Sequence, residues 1–163
     1  MKWKNGKLKY RENLHSIHLL YYLTIITGVI YIIYFSSESN IPLIKVIIFS
    51  PFSIVSLILV LVSRRQLGIY HSPHVEILKD HKLITAGLYK HLDHPMYYFE
   101  TLAMACIVFM VNNVIAYLCL SFWIAAILIK IKYENRLMKK EFQVYTTLFG
   151  KSWVIKLTEI IKQ

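Results

Sequence analysis

The sequence predicts an all-α polytopic membrane bundle, with about four transmembrane helices, a polar loop between the second and third, and an amphipathic C-terminal helix. Three observations carry that prediction. The 163-residue chain is 56% hydrophobic and only 17% charged, with a mean hydropathy of +0.49, whereas soluble domains carry more charge. Its apolar residues form long unbroken runs rather than stripes. Its Lys and Arg, the source of a formal net charge of +10, sit between and beyond those runs.

The first run, Leu14 to Phe35, is dense in Ile, Leu and Tyr. It ends at Ser36-Ser37-Glu38-Ser39-Asn40 before Pro42, a turn signal. The second run, Ile41 to Val62, stops at Ser63-Arg64-Arg65. Each spans about 22 residues, enough at ~1.5 Å per residue to cross a hydrocarbon core of ~30 Å. Arg64 to His94 is polar and holds five of the seven histidines. Ile77, Leu78, Leu83, Ile84 and Leu88 punctuate it, which argues for an ordered, functional loop. The next apolar block, Met96 to Ile131, is interrupted by Asn112-Asn113, a pair costly in hydrocarbon and cheap in a turn. A helical hairpin is expected there, with Pro95 in the first turn of an arm ending at Val111 and a second arm from Val114 to about Ile131. From Lys130 to Gln163 the chain is basic and amphipathic, with Leu137, Phe142, Tyr145, Leu148 and Trp153 on its apolar side. A helix lying along the membrane interface is expected.

Five Lys and Arg precede the first run, five lie from Arg64 to Lys90 and eight from Lys130 onward, leaving only Lys45 near the opposite face. Four crossings with both termini and the loop in the cytoplasm satisfy the positive-inside rule. This distribution argues against nucleic acid as a partner and for the lipid bilayer, with Lys139, Lys140 and Lys151 meeting anionic headgroups. The basic N-terminus precedes a run too long for a signal core, so a retained span is expected. Cys106 and Cys119 fall in apolar runs without ligand spacing, which predicts neither disulfide nor zinc site. The loop histidines His71, His74, His81, His91 and His94 match no metal-site spacing. Oligomeric state is not legible.

The loop continues as His81-Lys82-Leu83-Ile84-Thr85-Ala86-Gly87-Leu88-Tyr89, then Asp93-His94-Pro95-Met96-Tyr97; Glu134-Asn135, Leu137 and Phe142 follow on a later helix. In that order the segment resembles the isoprenylcysteine carboxyl methyltransferase superfamily of membrane methyltransferases, which includes phospholipid methyltransferase relatives. Its loop reads roughly His-x-Leu-(Val/Ile)-Thr-x-Gly-x-Tyr, then Arg-His-Pro-x-Tyr, with a later Glu-Glu, Leu and Phe. The likeness covers about Arg64 to Trp153. It divides one membrane domain, 1–163, into an N-terminal two-helix hairpin, 1–63, and a methyltransferase-like core, 64–163.

The resemblance implies an S-adenosylmethionine pocket on the cytoplasmic side, formed by His81, Leu83, Gly87, Leu88, Tyr89, His94, Pro95, Tyr97, Glu134 and Asn135. His94 and Glu134 are its expected catalytic residues. Asp93, Tyr98, Glu100 and Arg136 are candidates for an acceptor that is lipophilic or small: an isoprenylcysteine-like carboxylate, a thiol or an amine. The residue chemistry suits this reading. Gly87 permits a bend or a close approach, Tyr89 and Tyr97 present faces that attract a cation, and Glu134 can bind ribose hydroxyls or an amino group. Glu100 is an acid one turn into the third helix, where burial is costly unless it serves a site. Three departures stand out: Asp93 replaces the family's Arg, Asn135 the second Glu, and Gln143 a frequent Gly or Pro. The competing classes are a sterol-reductase-type membrane enzyme using NADPH and a non-catalytic membrane protein.

Overall fold

The computed structural model describes residues 8–11, 22–23, 26, 41–72, 74–78, 81–142, 144–145 and 147. Nearly all of the first apolar run, and the tail that includes Leu148, Lys151 and Trp153, lie outside the described residues. So does Gln143.

Three helices dominate what is described: α1 (Leu43–Leu67), α2 (Pro95–Val111) and α3 (Val114–Glu141). The α2–α3 hairpin turns where expected, between Val111 and Val114. Pro95 stands in the first turn of α2, where its missing N–H costs nothing. Asn112 ends α2 in the left-handed region at φ 52°, which Asn tolerates better than most residues. Asn113 then caps α3, its side chain accepting the Ile115 N–H at 2.9 Å.

Two expectations need correction. The chain from Lys130 onward is not a separate interfacial helix as far as Glu141; it continues α3 without a break. No Gly or Pro interrupts Lys130 to Glu141, so apolar character ends while the helix does not. At 28 residues α3 is about 42 Å long, so its last turns outrun a ~30 Å hydrocarbon core. The fold is also not purely helical. Strands β1 (Leu8–Arg11) and β2 (Glu76–Leu78) pair antiparallel, with Leu8 opposite Leu78 and Arg11 opposite Glu76.

α1 and α3 each pack on α2. α1 and α2 run antiparallel: Phe49 stacks on Phe109 with ring centroids 5.9 Å apart, and Ser53 Oγ donates to the Ala103 carbonyl at 3.4 Å. Small residues make this approach close, with Ser53, Ser56 and Ser63 buried on α1 and Ala103 and Cys106 on α2. Ser56 and Ser63 return their hydroxyls to carbonyls four residues back, which satisfies those two groups.

α1 and α3 are the two described helices long and apolar enough to cross a membrane, with peak mean hydropathies of 2.6 and 2.3. Their outer faces are bare: Leu43, Ile47, Phe52 and Ile54 on α1, and Leu118, Phe122 and Leu128 on α3, are all exposed. A helix in the core of a soluble protein would bury those side chains, whereas a bilayer accepts them. The antiparallel order puts the C-terminal ends of α1 and α3 and the N-terminal end of α2 together. The polar loop closes over that end.

Candidate active site

The loop leaves α1 through Gly68 at φ 55° and a 3-10 turn, Gly68–Tyr70. It crosses to α3, where Val75 and Ile77 bury against Leu137. It then returns to α2 through a second 3-10 turn, Gly87–Lys90. Gly87 has φ 61°, and a Cβ there would meet the Gln66 side-chain amide at 2.3 Å. That amide is held in place, because Gln66 Oε1 accepts the Leu88 N–H at 3.0 Å. Gly87 and Leu88 therefore tie the loop to α1 rather than facing the space beneath it.

That space is an open cleft of about 860 Å³, the solvent in its mouth included. Of the sequence-predicted residues, His81, Leu83, Tyr89, Asp93, His94, Tyr97 and Glu134 line it. They come from the loop, from α2 and from α3, so one wall joins segments far apart in the chain.

The junction between α2 and α3 is a hydrogen-bonded network. His94 Nε2 lies 2.8 Å from Asn135 Oδ1, and Nδ1 lies 3.4 Å from Glu134 Oε2. Tyr97 Oη donates to Glu134 Oε1 at 2.6 Å, and Tyr145 Oη donates to Asn135 Oδ1 at 2.5 Å. Asn135 thus keeps an acceptor oxygen where the family pattern has a second Glu, without the second charge. His94, Tyr97 and Tyr145 are buried, which fixes the network in place. Burial pushes the Tyr89 phenol well above its ordinary range, and the negative charge of Glu134 adds to that. The Tyr145 phenol is raised by burial first, then by Asp93, Glu134 and Tyr98. Both phenols stay protonated, and Tyr145 serves as a donor.

On the opposite side the His81 ring lies between Tyr70 and Phe142, with centroids 4.8 and 6.0 Å away. Its Nδ1 is buried and has no hydrogen-bond partner among the described residues. Burial holds the His81 imidazole below its ordinary value, only partly opposed by Glu141. His71 is lowered too, by burial first and then by the charges of Arg64 and Lys130. The cavity therefore has two neutral imidazoles, one with an open ring nitrogen.

The remaining candidates are not among the residues that line the cavity. Pro95 is buried as the start of α2, and Asn135 stands behind His94. Tyr98 donates to Asp93 Oδ1 at 2.8 Å, and the same oxygen accepts the His94 N–H at 3.0 Å. Asp93 is thus tethered at the head of α2 while it faces the cavity. Glu100 is half-buried on α2 and acts electrostatically on Lys130. Arg136 is exposed, as is Lys90, and neither supplies a cation to offset Asp93 inside the cavity. Sequence reasoning missed Tyr70 and His71 as walls, and Lys130 as a buried cation beneath Tyr97. The signal for Lys130 was present, since it follows an apolar stretch and stands one helical turn before Glu134. No group of His, Cys, Asp and Glu suited to a metal ion occurs among the described residues.

The family model for phospholipid methyltransferases matches residues 44–144, from α1 to just beyond α3. The chain belongs to the phospholipid methyltransferase family. That family is part of the isoprenylcysteine carboxyl methyltransferase-like superfamily, the resemblance carried by the loop and α3 motifs. No curated protein matches the chain. Family membership suggests a membrane methyltransferase, and the two apolar helices fit a membrane protein.

Proposed function

We propose that the protein is an integral membrane methyltransferase that takes its methyl group from S-adenosylmethionine, bound in the cavity between loop, α2 and α3. The observation that carries this reading is the convergence of His81, His94, Tyr97 and Glu134 on one cavity within the segment matched by the family. The donor set suits such a ligand: protonated Tyr89 for its polar edge, the Tyr97 and Tyr89 rings for a cation, and Glu134 for an amino group or ribose hydroxyls. The open His81 Nδ1 is a buried polar atom in want of a partner, which a polar ligand would provide.

When bound, the cofactor supplies an electrophilic methyl group on a sulfonium that already carries its leaving group. The chain's own residues then have three tasks. His94 and Tyr97 hold Glu134 in one orientation, so that binding does not have to order it. The apolar wall of Val75, Ile77 and Leu137 excludes water from the nucleophile's approach. An amine or thiol acceptor must also lose a proton, and the neutral imidazoles of His71 and His81 are the bases at hand. The acceptor is a lipophilic or small molecule reaching the site from the bilayer side.

In this reading the chain crosses the membrane four times, with both termini and the cavity in the cytoplasm. The Lys and Arg distribution supports this, and labelling of a single cysteine at Lys82 from the external side would overturn it. The test of the function is ligand binding in detergent. S-adenosylhomocysteine is expected to bind and NADPH not to; the reverse result would mark a reductase.

A further inference from the structure

We propose that Lys130 is a positioning residue, a buried cation that fixes the place of the Glu134 carboxylate at the cavity wall. This rests on the cofactor reading above, in which Glu134 meets a cationic or hydroxyl-bearing ligand.

Lys130 is 5% exposed although it carries an ammonium group. Its surroundings explain how it is tolerated. Nζ lies 5.1 Å from the centroid of the Tyr97 ring, a ring packed with Trp123 and Ile127. The hydroxyl of the same ring donates to Glu134 Oε1 at 2.6 Å. One aromatic side chain therefore carries a cation on its face and a carboxylate at its tip. Helix geometry does the rest, since Lys130 and Glu134 are four apart on α3 and share its inner face. The charges of Glu134 and of Glu100, which comes from α2, both act on the ammonium. His94 faces Glu134 from the head of α2, and across the cavity the charge of Lys130 is felt at His71.

The physical need for Lys130 follows from where Glu134 stands. Glu134 stands at the cavity wall, and its carboxylate has to be held in one orientation to meet an amino group or a hydroxyl. A buried ammonium is strongly disfavoured alone and tolerable beside negative charge and an aromatic face, which Glu134, Glu100 and Tyr97 supply. Lys130 is not among the residues that line the cavity, so it acts through Glu134 and Tyr97 rather than by touching the ligand.

The test is a double-mutant cycle on S-adenosylhomocysteine affinity, measured by calorimetry on the full chain in detergent. Lys130→Met is expected to weaken binding about tenfold in the wild-type background and less than about twofold beside Glu134→Gln. Lys130→Arg, which keeps the cation, is expected to stay within about threefold of wild type. Beside Glu100→Gln the Lys130→Met loss should persist, which assigns the coupling to Glu134. A merely structural lysine would cost as much with Glu134→Gln as without it, and that result overturns the proposal. Unchanged affinity in a folded Lys130→Met protein overturns it as well. Failure of the wild type itself to bind would instead remove the cofactor reading, and this inference with it.

Discussion

Replacing Gly87 with Ala tests how the loop is held over the cavity. Two costs are calculable. A residue with a Cβ at φ 61° pays about 1–2 kcal/mol for left-handed backbone. The new Cβ would also stand 2.3 Å from Gln66 Nε2 and 2.8 Å from its Oε1, so Gln66 must swing away. That breaks the 3.0 Å bond from the Leu88 N–H, worth about 0.5–1.5 kcal/mol. Against these stands a gain of about 0.4–1 kcal/mol from the lower freedom of the unfolded chain. The net loss is about 0.5–3 kcal/mol, read as a shift in reversible unfolding in mixed micelles. Repeating the substitution beside Gln66→Ala removes the collision and the bond, leaving only the backbone cost. A Gly87→Ala protein within ~0.5 kcal/mol of wild type would refute the argument. An identical loss in both backgrounds would show that Gln66 is not what Gly87 makes room for.

Further outcomes concern pH and the acceptor. His71 and His81 are held below their ordinary 6.5, so the folded protein binds fewer protons there than the unfolded chain. Their contribution to stability is complete above pH 6.5 and is lost as pH falls below it, and His81→Phe should flatten part of that acid limb in thermal melts. A melting temperature independent of pH from 7.5 down to 5 would contradict this. Asp93 faces the cavity with no cation from Lys90 or Arg136 beside it, and at ~6 Å and an effective dielectric of ~20 it costs an anionic acceptor up to about 3 kcal/mol, less whatever Lys82, the lysine that lines the same cavity, offsets. Asp93→Arg should therefore raise the relative use of a carboxylate acceptor over an amine or thiol, while Asp93→Asn separates charge from the bonds to Tyr98 and His94. Wild-type preference for the carboxylate, unmoved by Asp93→Arg, would show that Asp93 does not select the acceptor.

Legibility from sequence followed the range of the interactions. Pro95 and Asn112-Asn113 are local signals, and the α2–α3 boundaries fell where those residues put them. The end of α1 was read too early because Ser63-Arg64-Arg65 ends the apolar run but not the helix, which continues to Leu67. The same confusion of hydropathy with conformation hid the continuation of α3 through Glu141. The β1–β2 pairing joins segments far apart in the chain, and three- or four-residue strands leave no periodicity to find. At the site, the motif residues were legible as a set but not their division of labour. Gly87 and Leu88 reach Gln66 and Asn135 backs His94, because contacts 22 and 41 positions apart are set by helix packing rather than by local sequence. Lys130 was read with the basic tail because formal charge says nothing about burial.

The central claim, that the cavity walled by His94 and Glu134 is the cofactor site, is tested most directly by S-adenosylhomocysteine affinity in three proteins. Wild type is expected to bind, and His94→Ala and Glu134→Ala each to lose ~1–3 kcal/mol, about 5- to 150-fold in affinity, with their folds intact. Unchanged affinity in both folded variants, or no binding to the wild type, would contradict it.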